Sequence, residues 1–158
     1  MKIEYYRTRE NAQAPRRANP SDAGMDIAFA PEDDTGPLVI HPGQSALCQT
    51  GLKFGIPHGY MLQIMNRSGI AAKKSLVVGA HVVDAGYNGE VFINLHNIGS
   101  ASQTVTPGDR IAQAVLIPIV TPEVEEYDCD DLYSRVYTNS NRGEGALGST
   151  DEELCVNV

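Results

Sequence analysis

At 158 residues the chain has the size of one domain, and 42% hydrophobic with 20% charged residues is ordinary globular composition, neither disordered nor fibrous. The net charge of −8, from twelve Lys and Arg against twenty Asp and Glu, is opposite to that of proteins that grip a nucleic-acid backbone, so no nucleic-acid partner is expected, although a small anionic ligand is still allowed. No apolar run reaches the ~18 residues of a membrane helix; the polar start MKIEYYRTRE carries no secretory signal, and Cys48, Cys129 and Cys155 form neither a CxxC pair nor an even-numbered set. The expectation is a cytoplasmic protein without a membrane partner, a disulfide framework or a zinc knuckle.

In chain order, the first feature is PSDAGMDIAFA (Pro20–Ala30), where Asp26 stands beside Ile27 near the start of a buried strand. Taken alone, that carboxylate would cap its own backbone in an Asx turn. Strands are predicted over Leu38–His41, Ser45–Ile56 and Tyr60–Met65. NRSGIAAK (Asn66–Lys73) then ends a strand in Arg-Ser-Gly, and Arg67–Ser75 has the pattern of a short helix. Amides at a helix start, a hydroxyl and a guanidinium suit phosphate oxygens, while a plain N-cap by Ser68 is the simpler alternative.

Leu76–Val83 and Glu90–Asn97 are two further predicted strands, joined in AHVVDAGYNGEVFINLHN by a turn that carries Asp84 and, three residues later, Tyr87 between Gly86 and Gly89. After a short strand at Gln103–Thr106, PGDRIAQAVLIP turns into a strand over Arg110–Ile119. Alternation forbids Arg110 and Gln113 from both facing the core, and an edge strand with Gln113 in solvent is the ordinary reading. EVEEYDCDD (Glu123–Asp131) places six carboxylates in nine residues, a pattern of solvated connections more than of metal sites. NRGEGALGST (Asn141–Thr150) is a glycine-rich loop able to wrap phosphates with backbone N–H groups, though it is no P-loop. The pattern predicts an all-β barrel or sandwich over 1–136 with one short helix, and a flexible glycine-rich arm over 137–158. SLVVGAHVV and RIAQAVLIPIV are apolar on both faces, which favours an oligomer.

Five segments in order, AGMDI, NRSG, VVDAGYNGE, GDRIAQ and RGEGALGST, resemble the motif series of the trimeric dUTP pyrophosphatases, the dUTPases, from about Asp22 to Thr150. The resemblance implies a jelly-roll-like β-barrel, a homotrimer with active sites shared among subunits, dUTP as substrate and Mg²⁺ as cofactor. It implies that Asp84 activates the water that attacks the α-phosphorus, releasing dUMP and pyrophosphate. Val83 and Tyr87 would bind substrate, with the Tyr87 ring against the deoxyribose where it excludes a 2′-hydroxyl. Arg67, Ser68, Gly69 and Gln113 match the family's phosphate ligands, and Arg142 matches its tail cation. Leu147, Gly148 and Ser149 belong to the closing tail, and Asp26 to a position near the metal's waters.

Three positions depart from the family pattern: Asn66 replaces a proline, His81 a glycine, and Leu147 the phenylalanine that stacks on uracil. The same fold also serves dCTP deaminases, which need a glutamate where this chain has Asn94 and carry Arg-Ser-Ser where it has Arg-Ser-Gly. A non-catalytic regulator on the dUTPase fold is the alternative of another class.

Overall fold

The structure, a computed structural model, describes residues 1–32 and 35–127. The chain divides into Met1–Thr121 and Pro122–Val158. The boundary expected between 136 and 137, and the arm beyond it, lie outside the described residues.

Among its described residues the first unit holds eleven strands and one helix, with every strand pair antiparallel. One sheet runs β2 (Met25–Ala28), β11 (Arg110–Pro118), β6 (Tyr60–Met65), β8 (Val82–Val83). A second runs β4 (Ser45–Gln49), β9 (Phe92–Asn97), β7 (Leu76–Val78). Two ribbons complete the set: β1 (Glu4–Arg7) with β5 (Leu52–Gly55), and β3 (Leu38–Ile40) with β10 (Gln103–Val105). Inward side chains from these sheets form one aliphatic core; Leu52, Leu62, Ile93 and Leu95 are fully buried in it. Each such side chain contributes about 1.5–3 kcal/mol through removal from water. Cys48 is buried there too, and loss of solvation pushes its thiol up to about 12, so it packs as a small apolar group and is not a nucleophile at neutral pH.

The predicted single strand Ser45–Ile56 is two strands. Gly51, at φ +66°, turns the chain between β4 and β5, and a Cβ there would strike Ala12. Likewise Leu76–Val83 is broken at Gly79–His81, so β7 and β8 join different sheets. The expected helix is present as α1 (Ser68–Lys74).

Strand β11 is central, not an edge: it pairs with β2 on one side and β6 on the other. It also carries a bulge, since Arg110 lies opposite Ala28 but Ala112 opposite Ile27, which leaves Ile111 as the extra residue. Asp26 and Ala28, two residues apart, share a face of β2. Their partners Gln113 and Arg110 therefore share that face as well, although they are three residues apart. The bulge overturns the simple alternation, and both Ile111 and Ala112 turn inward.

Asn66 has a visible role where the family has proline. Its Oδ1 accepts a 2.6 Å bond from the Val78 backbone N–H, on the side of β7 away from β9. Asn66→Ala should leave that N–H in a buried strand without its partner, costing about 1–3 kcal/mol. A melting experiment should show a Tm several degrees lower; an unchanged Tm would mean that water replaces the amide.

Candidate active site

Two clefts collect most of the residues singled out by the sequence. The first, of about 350 Å³, is lined by Asp26, Arg67, Ser68, Gly69 and Gln113 together with the Ala18–Gly24 loop. Its floor is the register of the four-stranded sheet. Gln113 on β11 lies opposite Asp26 on β2 and opposite Met65 on β6, one residue before the Asn66–Arg67 turn. Gln113 Nε2 donates to the Asn66 carbonyl at 2.8 Å. Gly24 is required beside it, because a Cβ there would collide with the Gln113 amide.

Asp26 does not cap its own backbone. Its Oδ1 meets Arg67 Nε at 2.7 Å, and its Oδ2 meets Arg110 Nη1 at 3.2 Å. Arg67 Nη1 also donates to the Arg110 carbonyl at 2.7 Å. The capping carboxylate of this loop is instead Asp22, which accepts from the Asn19 N–H at 2.7 Å. Nor is Ser68 the N-cap of α1. Arg67 holds that position without a side-chain cap, and Ser68 is the first helical residue, exposed at the cleft. The first N–H groups of a helix have no acceptor within it, so amides, a hydroxyl and an anchored guanidinium border one polar cleft.

The second cleft, of about 230 Å³, is lined by Val82, Val83, Asp84, Tyr87, Glu90, Val91 and Phe92. Strand β8 pairs with β6, Val83 opposite Leu62, and the chain then turns at Asp84. The Tyr87 N–H donates to the Asp84 carbonyl at 3.2 Å, and Gly86 stands at φ +90°, as the third residue of a type II turn requires. The Tyr87 hydroxyl donates to the Glu90 carbonyl at 3.0 Å, and its ring covers Gly89 so closely that a Cβ there would overlap it. His81 Nδ1 donates to the Ile64 carbonyl at 2.7 Å and ties the approach to the turn onto β6. Asp84 is exposed in the single chain, so its own fold leaves the carboxylate in contact with solvent.

The two clefts share no lining residue. Arg142, Leu147, Gly148 and Ser149 lie outside the described residues. Sequence reasoning gave neither Arg110, read only for its facing, nor Glu90 a place in the site. The bulge that aims Arg110 leaves no simple mark in the sequence, and Glu90 is one acid among twenty. No His, Cys, Asp or Glu cluster of three or more that could hold a metal unaided occurs among the described residues.

A family model described as dUTPase matches residues 10–150. The chain belongs to the dUTPase family. The deoxyuridine 5′-triphosphate nucleotidohydrolase of Oryza sativa subsp. japonica is 42% identical over 141 residues, covering 89% of this chain and 75% of the rice protein. Among solved structures, a mutant Staphylococcus bacteriophage 80alpha dUTPase with dUpNHpp matches with a TM-score of 0.80 and 28% identity, covering 94% of this chain and 98% of that one. A mutant dUTPase from phage phi11 of S. aureus, described for its coordination of a structural Mg(II) ion, matches with a TM-score of 0.73 and 27% identity, covering 83% and 99%. The all-β architecture, with a single short helix among the described residues, is the dUTPase fold.

Proposed function

We propose that the chain hydrolyses dUTP to dUMP and pyrophosphate, which limits uracil incorporation into DNA and supplies dUMP for dTMP synthesis. The observation that carries this reading is the Asp84–Tyr87 turn, which sets a carboxylate and a phenol on the wall of one cleft. Asp84 orients a water and accepts its proton as the water oxygen bonds to the α-phosphorus in line. The bond from that phosphorus to the bridging oxygen breaks, and pyrophosphate leaves with the electron pair. Arg67, Ser68, Gly69 and Gln113 hold phosphate oxygens in the other cleft, and Arg142 of the tail adds a cation. Val83 backs the nucleoside and Tyr87 packs on the deoxyribose, while Leu147, Gly148 and Ser149 close over the nucleotide.

The donor set suits an Mg²⁺ carried in on the triphosphate. A hard cation keeps waters and takes substrate phosphates, needing no complete protein cage. Asp26 faces the phosphate cleft and would meet that ion through water, while in the free chain it aligns Arg67 and Arg110. When bound, the ion neutralises charge on the leaving pyrophosphate.

Turnover of dUTP with Mg²⁺, followed as pyrophosphate release, tests the reading; ammonia release from dCTP, or no reaction at all, would overturn it. Asn94, at the position where the deaminases need glutamate, is bonded to His96 Nε2 at 2.7 Å and is not among the residues lining the second cleft. Tyr87→Ala should lower the preference for dUTP over UTP, measured as the ratio of kcat/KM values, by about tenfold or more, since the wall against the 2′-hydroxyl is gone. An unchanged ratio would place sugar selection elsewhere.

The reading includes a homotrimer with composite sites, which the separated clefts and the exposed apolar side chains Val82 and Phe92 at the second support. Asp84→Asn and Arg67→Ala subunits, each keeping at most about a tenth of wild-type kcat/KM alone, should rise to about a quarter of it when reassembled as an equal random mixture, because one composite site in four then draws an intact cleft from each type. No recovery, or a fully active monomer by light scattering, would show that both clefts serve a site within one chain.

No helix among the described residues is long and apolar enough to cross a membrane.

A further inference from the structure

Beneath the Tyr87 turn lies an ion pair that the reaction scheme does not use. Glu90 and Arg9, 81 positions apart, face each other with side chains only 13% and 15% exposed. Glu90 Oε2 pairs with Arg9 Nη2. Glu90 Oε1 accepts from Arg9 Nη1 at 3.0 Å, from the Gly51 N–H at 2.8 Å and from the Thr50 N–H at 3.1 Å. Arg9 Nη1 also donates to the Ala30 carbonyl at 2.7 Å. The carboxylate is therefore bound to both the Arg9 guanidinium and the left-handed corner at Gly51.

The next residue is fastened to the same place. Val91 N–H donates to the Leu52 carbonyl at 2.9 Å, and the fully buried Thr50 hydroxyl donates to the Val91 carbonyl at 2.6 Å. From this segment the Glu90 carbonyl turns towards the turn above it and accepts the Tyr87 hydroxyl. The phenol is otherwise 48% exposed and stands over a glycine that offers no side chain to hold it. Its ring orientation thus depends on where the Glu90 carbonyl is placed, and that depends on the carboxylate of the same residue.

We propose that the Arg9–Glu90 pair is a positioning device for Tyr87, and through it a determinant of sugar selectivity in the reaction proposed above. Glu90 touches no reacting atom. It holds its own carbonyl in register so that the phenol stays against the place of the sugar C2′. A general support of the fold would affect dUTP and UTP alike; a positioning residue changes their ratio.

The test uses the full chain with Mg²⁺. Glu90→Ala should lower the dUTP over UTP ratio of kcat/KM by about threefold to tenfold, the size typical of coupled neighbours. Glu90→Gln keeps an acceptor for the Thr50 and Gly51 N–H groups and should lie between wild type and Glu90→Ala, which preserves the test should the alanine variant fold poorly. In a Tyr87→Ala background, either Glu90 variant should leave the ratio where Tyr87→Ala alone puts it. A parallel readout needs no turnover: the ¹³C-labelled tyrosine ring signal of Tyr87, assigned by Tyr87→Phe, should shift or average in both Glu90 variants. An unchanged ring signal would overturn the proposal, as would equal losses on both sugars in folded variants. If the ring loosens while Tyr87→Ala itself leaves the ratio unaltered, the positioning stands and the sugar-reading role of Tyr87 falls.

Discussion

Asp84→Asn should lower kcat on dUTP by about 100-fold to 10,000-fold, the range that a positioned general base contributes, while KM and the melting temperature stay near their wild-type values. The carboxamide is nearly isosteric and can still bond a water, but it cannot accept that water's proton. Little structural cost is expected, because the side chain is exposed and the turn is held by backbone groups: the Tyr87 N–H on the Asp84 carbonyl and the strand pairing of Val83 with Leu62. Single-turnover measurements with dUTP bound in excess enzyme would isolate the chemical step. Near-normal turnover there would remove Asp84 from the mechanism, whereas a large rise in KM at constant kcat would make it a binding group.

Arg67→Ala should lower kcat/KM for dUTP by about 10-fold to 150-fold, as expected for loss of a charge-assisted bond worth roughly 1.5–3 kcal/mol. Two effects combine. The phosphate cleft loses a cation, and Asp26, whose side chain is 13% exposed, keeps only Arg110 as partner. Arg67→Lys should recover part of the loss, because an ammonium restores charge without the planar fork that bonds Asp26 through Nε and the Arg110 carbonyl through Nη1. Deoxyuridine, which has no phosphate, should inhibit wild type and variants equally. A matching loss of deoxyuridine affinity would assign Arg67 to the shape of the site and not to phosphate binding.

Much of this arrangement was legible because the chemistry sits where the backbone leaves no freedom. Strand β6 has the predicted limits Tyr60–Met65, and the Arg-Ser-Gly start of α1 was readable from the turn residues. Strand β1 was not foreseen. All four of its residues are exposed, so it has no alternation to detect, and it exists through its pairing with β5. The breaks at Thr50–Gly51 and Gly79–His81 were hidden for the opposite reason: apolar residues resume directly after them, while Gly51, at φ +66°, turns the chain at the first and a bend at Gly79 opens the second, and each second half joins another sheet. Within one chain Asp84 and Arg67 border separate clefts, a fact of three-dimensional placement that no local spacing records and that only the resemblance, with its sites shared among subunits, allowed for. Asn66 was visible as a departure from the family, yet its bond to Val78 appears only once β7 lies beside it.

The bulge at Ile111 means that the spacing of β11 is itself part of the site. Strand facing has a period of two, so one extra residue exchanges the faces of everything on one side of it. In this strand the extra residue is what lets Arg110 and Gln113 reach the same carboxylate-bearing face. Removing Ile111 would delete only an aliphatic side chain in composition, yet it would rotate Arg110 away from Asp26 while Gln113 stayed in place. The guanidinium–carboxylate contact is thus encoded in chain length as much as in residue type, and a one-residue deletion there would do what no single substitution at Ile111 can.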